Sequence, residues 1–377
     1  MTLYSLLKGI MRRMRCHDCG APWMASRLVN WTADGLIKHN MLGYDPPPSI
    51  IIEVEEFSNI FQSLEQALGF SIGHIVTESE RKATLGWFGT ALDIFPGFML
   101  KSNLLAGLLW NVTMLFLDHS GQGHQEMVRV GDRTNVLYVG RNLFYLPAAA
   151  GDRQATSEAL FGRKYRVSGI DLGDENYVVA CTASEAPTGV EDRLEYISRQ
   201  IIGGSVEFSR CPSCGVPRQA NNYTWGLDNG TITNRLTGLR EMLLANWSID
   251  VICREIAEEL GEEIERIIIE AERDFTADRL AQFGMRLSHS GLTEFKGNDT
   301  ENMRILLDDL PFRGMGYVES LSLENDELRL RVNNPLNEAL LSGKVLGYYE
   351  TLLGKKGKVN WSTPDGEWAV EIEIEPA

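Results

Sequence analysis

Four of the six cysteines stand in two short pairs whose spacing suits a metal site. Cys16 and Cys19 form the first Cys-x-x-Cys pair, Cys211 and Cys214 form the second, and a glycine follows each pair directly. In this zinc-knuckle spacing a tight turn points two thiolates at one ion, and the glycine relieves the backbone after the turn. One pair cannot complete a tetrahedron, whereas two pairs can. The spacing therefore predicts one structural Zn²⁺ held by all four thiolates.

Other uses of these thiols stay open at this point. An iron–sulfur cluster would take the same four thiolates. A redox-active pair is a further alternative, although no thioredoxin-like βαβ pattern surrounds either pair. Each pair could also recruit a separate ligand such as His17. Because six cysteines are too few for a disulfide scaffold in 377 residues, we expect a reducing compartment and a cytoplasmic location.

Carboxylates beside an arginine form a second pattern, which occurs twice in the chain. The two sets are Glu78, Glu80, Arg81 and Glu270, Glu272, Arg273. A buried carboxylate–arginine pair can line a pocket, where desolvation tunes the pKa of a proton donor. The alternative, which we favour, is an ordinary ion pair that holds one segment to the next.

Aromatic residues are concentrated between positions 87 and 116, and three of them are Trp87, Phe98 and Trp110. Core packing is the simpler explanation of this group. The functional explanation is an apolar pocket or lid for a hydrophobic ligand. In the functional interpretation the pocket is lined by Trp87, Phe98, Trp110, Glu78, Glu270, Arg81 and Arg273.

An internal repeat supplies the elements that would position these residues. After the cysteine pairs, residues 31–37 resemble 225–232, and residues 68–81 resemble 260–273 at an offset of 192 (272 − 80). The order of the matching segments is the same in both copies. We therefore predict a tandem duplication, in which the four thiolates join the two copies.

A third match sets the predicted length of the first copy. Residues 165–181 resemble 316–332 at an offset of 151 (316 − 165), which is 41 residues less than 192. The difference predicts an insertion of that size between Arg81 and Phe161. The predicted organisation is an amphipathic helix over 1–14, a first repeat over 15–205 with an apolar insertion around 82–160, and a second repeat over 206–377.

Each copy is predicted to belong to the α+β class, with helices and an antiparallel sheet. In the second copy a hairpin turns at 228–230, and Ser248 is the expected N-cap of a helix that ends at Leu260. A further helix is expected over 274–290. Alternating residues over 317–332 predict a hairpin, a helix follows over 336–353, and two strands close the chain.

The last stretch of the chain resembles the end of the 4-vinyl reductase domain. The resemblance lies in residues 340–350, the Leu353-Gly354 step, Val359 and residues 368–372, and it extends loosely over about 250–376. It implies an α+β pocket for a small hydrophobic or aromatic molecule, in a sensor or accessory domain. The family has a cysteine before the closing strand; Ser362 or Thr363 stands there in this chain, so no metal role follows for that place.

The acidic composition excludes some partners. The formal net charge is −16, which repels phosphate backbones, so we expect no nucleic-acid partner. The apolar run Leu104–Leu117 has 14 residues, fewer than the ~20 that a membrane span needs. We interpret it as a buried helix; the alternative is a segment around 98–117 that dips into a membrane.

These observations favour a duplicated binding protein for a small hydrophobic or aromatic molecule, with zinc as a structural ion. The first alternative is an enzyme or cofactor-handling accessory that acts on an aromatic or tetrapyrrole-like substrate. It depends on the Glu/Arg sets and on the family resemblance, and because no catalytic constellation is evident we lean against it. The second alternative is a protein–protein adaptor, and a homo-oligomer or protein partner is compatible with all three.

Overall fold

The structure is a computed structural model of the chain. It describes all residues except 1–8, 12, 40–46, 87–102, 132, 187–193, 195–196, 262, 284–286, 289–290 and 293–296. Of the predicted N-terminal helix, residues 9–11 and 13 are helical, and the others apart from Met14 lie outside the described residues.

The described elements alternate between helices and antiparallel strands, which confirms the α+β class. The helices are α1 Trp23–Arg27, α2 Val54–Leu68, α3 Gly73–Thr84, α4 Asn103–Ser120, α5 Leu146–Phe161, α6 Trp247–Leu260, α7 Glu263–Phe283, α8 Asp299–Leu307, α9 Leu310–Arg313 and α10 Glu338–Leu353. The strands are β1 Val29–Trp31, β2 Ile37–His39, β3 Ser49–Glu53, β4 His124–Gly131, β5 Asn135–Arg141, β6 Tyr165–Gly173, β7 Asn176–Ala183, β8 Tyr223–Gly226, β9 Thr231–Asn234, β10 Arg240–Ala245, β11 Leu287–Ser288, β12 Gly291–Leu292, β13 Tyr317–Glu324, β14 Glu327–Asn333, β15 Gly357–Ser362 and β16 Ala369–Pro376.

A six-stranded sheet, here called the central sheet, connects distant parts of the chain. Its strand order is β1-β2-β3-β10-β9-β8. The middle pair is antiparallel, and Ile51 of β3 faces Leu243 of β10. Outward from this pair, β2 and β1 follow β3 on one side, and β9 and β8 follow β10 on the other. The two halves of the sheet are therefore built alike.

The fold also contains two four-stranded antiparallel sheets. One has the order β4-β5-β7-β6 and the other the order β13-β14-β16-β15, so the second strand of each pairs with the fourth. A helix connects the second strand to the third in both cases, namely α5 and α10. We call α3, α5 and β4–β7 the first unit, and α7, α10 and β13–β16 the second unit.

The helix pair in each unit packs closely at one glycine. A Cβ at Gly151 of α5 would run into the carbonyl oxygen of Thr77 on α3. A Cβ at Gly343 of α10 would run into the carbonyl oxygen of Ile269 on α7. Close helix packing of this kind needs a residue without a side chain at the crossing. The sequence separation is 192 (343 − 151), the same as in the Glu/Arg sets.

The buried apolar residues form one large cluster and two smaller ones. The large cluster includes Phe57, Ile252, Val345 and Ile372 and joins the central sheet to the second unit. A smaller cluster covers the inner face of the first sheet and contains Trp110 of α4 and Tyr138 of β5. Helix α4 contains the apolar run 104–117, and Met114, Leu115 and Leu117 in it are buried. In the described part of the chain, no helix is both long enough and apolar enough to span a membrane.

The structure corrects the predicted alignment of the hairpins. By strand order, the hairpin over 165–183 occupies the place of the hairpin over 357–376, whereas residues 317–333 correspond in position to 124–141. The match at offset 151 was therefore wrong, because all alternating hairpins share the same pattern. Without that match, the predicted 41-residue insertion around 82–160 has no basis.

Two helix boundaries also differ from the prediction. Helix α7 runs without interruption from Glu263 to Phe283, so the helix expected over 274–290 is the second part of a longer one. Ser248 lies inside α6 and is fully buried, and Asn246 stands at the N-cap position. The hairpins over 223–234 and 317–333 and the helix α10 are confirmed.

Candidate metal centre and ligand cavity

Each cysteine pair lies in a tight turn with the same backbone hydrogen bonds. The amide of Cys16 donates to the carbonyl of Ala21 at 2.8 Å, and the amide of Gly20 donates to the carbonyl of Cys16 at 2.9 Å. In the second turn Cys211 and Gly215 make the corresponding bonds, each at 2.9 Å. Gly20 and Gly215 have positive φ angles of 72° and 78°, a backbone conformation that residues with a side chain rarely adopt. Each turn therefore holds its two thiol groups on the same side of the turn.

Two arginines hold the turns against the opposite edges of the central sheet. Arg15 donates from Nη1 to the carbonyl of Gly20 in its own turn and from Nη2 to the carbonyl of Trp225 on β8. Arg210 makes the reciprocal contacts, with Gly215 in its own turn and with Trp31 on β1. Each turn is thus fixed to a strand that lies about 200 residues away in the sequence.

The two turns bring all four cysteine sulfurs together. The Sγ atoms of Cys16 and Cys211 lie 3.7 Å apart, and those of Cys19 and Cys214 lie 3.4 Å apart. All four ligand atoms lie within 4.8 Å of one another. In a tetrahedron with Zn–S bonds of about 2.3 Å, neighbouring sulfurs are about 3.8 Å apart. The four thiols can therefore hold a metal ion.

The surroundings of the cluster favour thiolate at one position in particular. Hydrogen bonds from the backbone amides of Cys19 and Asp18 lower the pKa of Cys16 to about 7, against the effect of partial burial. Burial raises the pKa of Cys19. His17 is exposed and pairs with Asp18 at 3.0 Å, outside the group of four sulfurs. The structure thus assembles the four predicted cysteines and leaves His17 aside.

A largely apolar cavity of about 170 Å³ lies between the central sheet and helices α3, α4 and α5. Side chains of the sheet form one wall, including Trp31, Ile51 and Ile232. Ala83 of α3 and Leu117 of α4 belong to the opposite wall. An engineered apolar cavity of about 150 Å³ in another protein admits benzene, so a single aromatic ring matches this volume.

Polar groups converge on one side of this cavity. Glu80 of α3 is 5% exposed and Ser248 of α6 is fully buried. Among the described residues, Oε1 of Glu80 has no cationic partner, and the hydroxyl of Ser248 lies beside the Glu80 carboxyl. Burial raises the pKa of the Glu80 carboxyl to about 8, the charge of Asp152 adds to the rise, and the hydroxyl of Ser248 acts in the opposite direction.

The second carboxylate of the cavity, Asp152 of α5, is bound by neighbours. Thr84 donates to its Oδ1 at 2.9 Å, and the guanidinium of Arg153 bonds its Oδ2. Arg153 is fully buried and lies over the rings of Trp110 and Tyr138, with centroid distances of 4.9 and 5.9 Å. Of the two carboxylates, Glu80 is the one without a cationic neighbour in the described structure.

Two histidines also line the cavity. His39 bonds the hydroxyl of Ser49 at 2.7 Å, and burial lowers its pKa to about 4. His119 of α4 bonds the carbonyl of Leu115 at 2.6 Å through Nδ1. His39 is therefore neutral at physiological pH.

The predicted pocket residues lie elsewhere. Trp110 packs on Tyr138 in the core of the first unit. Glu78 is buried and accepts two hydrogen bonds from Arg81, which also bonds Glu158 of α5 at 2.7 Å. These three predicted residues, Trp110, Glu78 and Arg81, do not line the cavity.

The other predicted pocket residues are at the surface or outside the described part. Glu270 is half-buried and pairs with Arg266 at 2.7 Å, and Arg273 pairs with Asp274. Trp87 and Phe98 lie outside the described residues. The five described residues of the predicted pocket thus do not line this cavity. Glu78 and Glu80 are two positions apart on one helix, and only Glu80 lines the cavity.

Glu80, Asp152 and Ser248 are the polar cavity residues that the sequence did not single out as a group. They lie on three helices, and their spacing of 72 and 96 residues has no local pattern (152 − 80, 248 − 152). An alignment at the constant offset of 192 would have paired them with Glu272, Lys344 and Glu56. That comparison would have marked Asp152, because an aspartate replaces a lysine.

A charge cluster occupies the corresponding place in the second unit. Lys344 of α10 bonds Glu272 of α7 at 2.7 Å and Glu56 of α2 at 2.9 Å. Burial raises the pKa of Glu272 to about 8 although Lys344 lowers it, and the charge of Glu56 adds to the rise. Burial also raises the pKa of Glu56, but the charges of Lys344 and Arg313 outweigh it and the net shift is downward. One ammonium thus serves two buried carboxyls.

Comparison of the chain with protein-family models, with curated proteins and with solved structures finds no match. The resemblance of residues 250–376 to the 4-vinyl reductase domain stays a prediction from the sequence. The metal centre and the cavity are the two features of the described structure from which a function can be inferred.

Proposed function

We propose that this chain is a duplicated binding protein, in which a zinc ion joins two copies of one α+β unit and the cavity holds a small aromatic or hydrophobic molecule. The single observation that carries the proposal is the cavity of about 170 Å³, with its apolar walls and the converging carboxyl and hydroxyl of Glu80 and Ser248. Binding sites for small molecules combine apolar walls with a few placed polar groups in this way.

The spacing of the sulfurs supports a single ion. All four sulfurs lie within 4.8 Å of one another, as the ligands of one tetrahedral ion do. A four-cysteine tetrahedron leaves no position for a substrate, so the ion is structural. Cys16 and Cys211 come from segments 195 residues apart, and the ion therefore stabilises the junction between the two copies.

The duplication is supported by features that repeat at nearly constant separation. The two cysteine turns, the reciprocal contacts of Arg15 and Arg210 and the two orders of the four-stranded sheets are examples. Helices α5 and α10 each end at a left-handed glycine, Gly162 and Gly354, which are 192 residues apart (354 − 162). Under this proposal the central sheet carries the pseudo-two-fold axis between β3 and β10.

Metal analysis of the purified protein tests the first part of the proposal. We expect about one zinc per chain and no visible absorption, since Zn²⁺ has a filled d shell. Cys211→Ser should lose the ion, whereas Cys181→Ala, which removes a buried thiol outside the cluster, should keep it. A brown protein that contains iron would mean that the four cysteines hold an iron centre instead of zinc. A chain without any metal would refute the metal site.

Ligand binding tests the second part. We expect toluene or phenol to raise the melting temperature of the protein and to perturb the resonances of cavity residues. The variant Ala83→Leu narrows the cavity and should abolish the effect. Ala271→Leu, on α7 and away from the cavity, is the matched control and should bind as the wild type does. No binding of any single-ring compound would refute the proposal.

One observation favours an enzyme as the second candidate. A buried carboxyl whose pKa is near 8 and whose oxygen faces a cavity is suited to transfer a proton at neutral pH. In that case Glu80→Gln would abolish turnover of the bound compound, while its binding would persist. Without any turnover of bound ligands, the binding protein remains the better description.

A further inference from the structure

We propose that the cavity, if it binds a small molecule as proposed above, selects a single-ring primary amine whose ammonium group lies between Glu80 and Ser248. The inference rests on the second unit, where the corresponding three positions are closed by an ammonium group of the chain itself.

The comparison of the two units locates the ammonium. Glu272 and Glu56 both bind Nζ of Lys344. At the positions 192 residues earlier and later, Glu80 and Ser248 line the cavity, and Asp152 replaces the lysine. A carboxyl that binds an ammonium in one unit is therefore left without one in the other.

The replacement by Asp152 leaves the acid group of the cavity uncompensated. Asp152 is bonded by Arg153, and it adds negative charge beside Glu80 instead of the positive charge that Lys344 supplies. Oε1 of Glu80 is buried and has no cationic partner within the described residues, and the hydroxyl of Ser248 is the polar group beside this carboxyl. A buried polar atom of this kind costs free energy until a ligand satisfies it. An ammonium donates three hydrogen bonds and carries the missing charge.

The apolar walls determine the rest of the ligand. The sheet side of the cavity is formed by large apolar side chains such as Trp31, Ile51 and Ile232. The volume of about 170 Å³ admits one ring and a short side chain. An anionic molecule would bury uncompensated charge beside Asp152, and a longer molecule would exceed the volume of the cavity. Benzylamine has the proposed combination of one ring and one primary amine.

Binding of the amine should release a proton. A primary alkylamine enters as the ammonium at neutral pH, as a lysine side chain would be. The Glu80 carboxyl, whose pKa burial raises to about 8, then loses its proton to the solvent and pairs with the ligand. At pH 7 the release approaches one proton per ligand, and at pH 9 it falls toward zero because Glu80 is already ionised.

Other titratable groups line the same cavity, and their proton release must be distinguished from that of Glu80. The titratable side chains along the cavity besides Glu80 are His39, His119, Asp152 and Tyr223, and Arg153 bonds Asp152. Burial lowers the pKa of His39 to about 4 and raises the pKa of Tyr223 well above 10. Neither of these two releases a proton between pH 7 and 9, and a variant of Glu80 distinguishes its contribution from that of His119.

Isothermal titration with benzylamine, benzyl alcohol, toluene and phenylacetate, in two buffers of different ionisation enthalpy, tests the inference. We expect benzylamine to bind best, phenylacetate not at all, and one proton to be released at pH 7. Glu80→Gln should lower the affinity for benzylamine by about 30-fold or more and abolish the proton release. The affinity for toluene should stay within about twofold of the wild-type value. Glu270→Gln, at the surface, is the control and should change nothing.

A second variant tests the comparison directly. Asp152→Lys places in the first unit the residue that closes the second, and its ammonium should compete with the ligand and abolish benzylamine binding. Toluene or benzyl alcohol binding as tightly as benzylamine would overturn the amine inference and leave the proposed function intact. Proton release that persists in Glu80→Gln would also overturn it. If none of the four compounds binds, both proposals fail.

Discussion

The cavity and the charge cluster show how one arrangement of helices can be open in one place and closed in another. In both, a glycine in the second helix of the unit lets it cross the first closely, at Gly151 and at Gly343. Next to the glycine stands Asp152 in the first unit and Lys344 in the second. The lysine spans two carboxyls, whereas the aspartate turns to Thr84 and Arg153. The residue after the glycine thus differs in charge between the two places: an internal ammonium meets the buried glutamate in the second unit, and an aspartate stands there in the first.

The largest expected effect comes from removal of the internal cation. Lys344→Met leaves Glu56 and Glu272 buried together without a positive partner, and breaking a buried pair in this way costs about 3–5 kcal/mol. Urea denaturation would measure the loss in the free energy of unfolding. Lys355→Met, which removes an exposed partner of Asp326, should cost clearly less, because solvent screens such a surface pair. Equal losses in the two variants would mean that the charge cluster does not close the second unit.

The next effect concerns the shared helix crossing. Gly151→Ala and Gly343→Ala each place a Cβ against a backbone carbonyl, and overpacking of this kind costs about 1–3 kcal/mol. If the two units are copies, both variants should lose a similar amount in thermal unfolding. Gly107→Ala in α4 meets nothing within 4 Å and should be neutral or stabilise the helix by up to about 1 kcal/mol. A loss confined to one unit would contradict the equivalence of the two crossings.

The pH dependence of stability should distinguish the open site. Because the pKa of Glu80 rises from 4.5 to about 8 on folding, its contribution to stability is complete below pH 4.5 and is lost as the pH rises to 8. In this window the wild type should lose up to about 1.4 kcal/mol per pH unit through this group. Glu80→Gln removes that part of the slope. Glu53 and Glu272, whose pKa values are raised to about 7 and 8, keep a slope in both proteins.

Denaturation of the wild type and Glu80→Gln at pH 5, 6, 7 and 8 would give the two slopes. The free energy of unfolding of the variant, relative to that of the wild type, should increase steadily as the pH rises. Parallel curves would show that the Glu80 carboxyl is already ionised in the folded protein, and would remove the electrostatic difference between the two sites.

The smallest effect should come from the surface. Glu270 corresponds in sequence to Glu78, but it is half-buried and pairs only with Arg266 among the described residues, so Glu270→Gln should change the free energy of unfolding by less than about 0.5 kcal/mol. Glu78→Gln removes a buried partner of Arg81 and should cost clearly more. A comparable cost for the two variants would imply that the repeated glutamates play one role in both units.

The sequence was informative wherever a local pattern carried the signal. The cysteine turns, the hairpin over 317–333 and the helix after it were predictable because spacing, alternation and turn residues lie within a few positions of one another. The gathering of four sulfurs from segments 195 residues apart followed from the chemistry of a four-ligand site.

The cavity was not predictable in the same way. Its polar residues come from α3, α5 and α6, and its apolar wall comes from strands of both edges of the central sheet. The sequence marked Glu78 and Arg81 together with Glu80, yet a helix places Glu78 and Glu80 on different faces. The wrong match at offset 151 hid the comparison of Asp152 with Lys344, because the alternation of one hairpin resembles that of any other.

The pairing of β3 with β10 has a consequence for the order in which this chain folds. Residues 49–53 have no partner on that side until residues 241–245 have been made, so an early chain leaves the ribosome with an open strand edge. Closing a loop of this length is slow, because the chain loses conformational entropy before the distant contacts that compensate for this loss have formed. The four thiols can meet only once residues 211–214 have been made, so the candidate metal site is also completed late in synthesis. The period before closure is the time when the nascent protein is most exposed to aggregation.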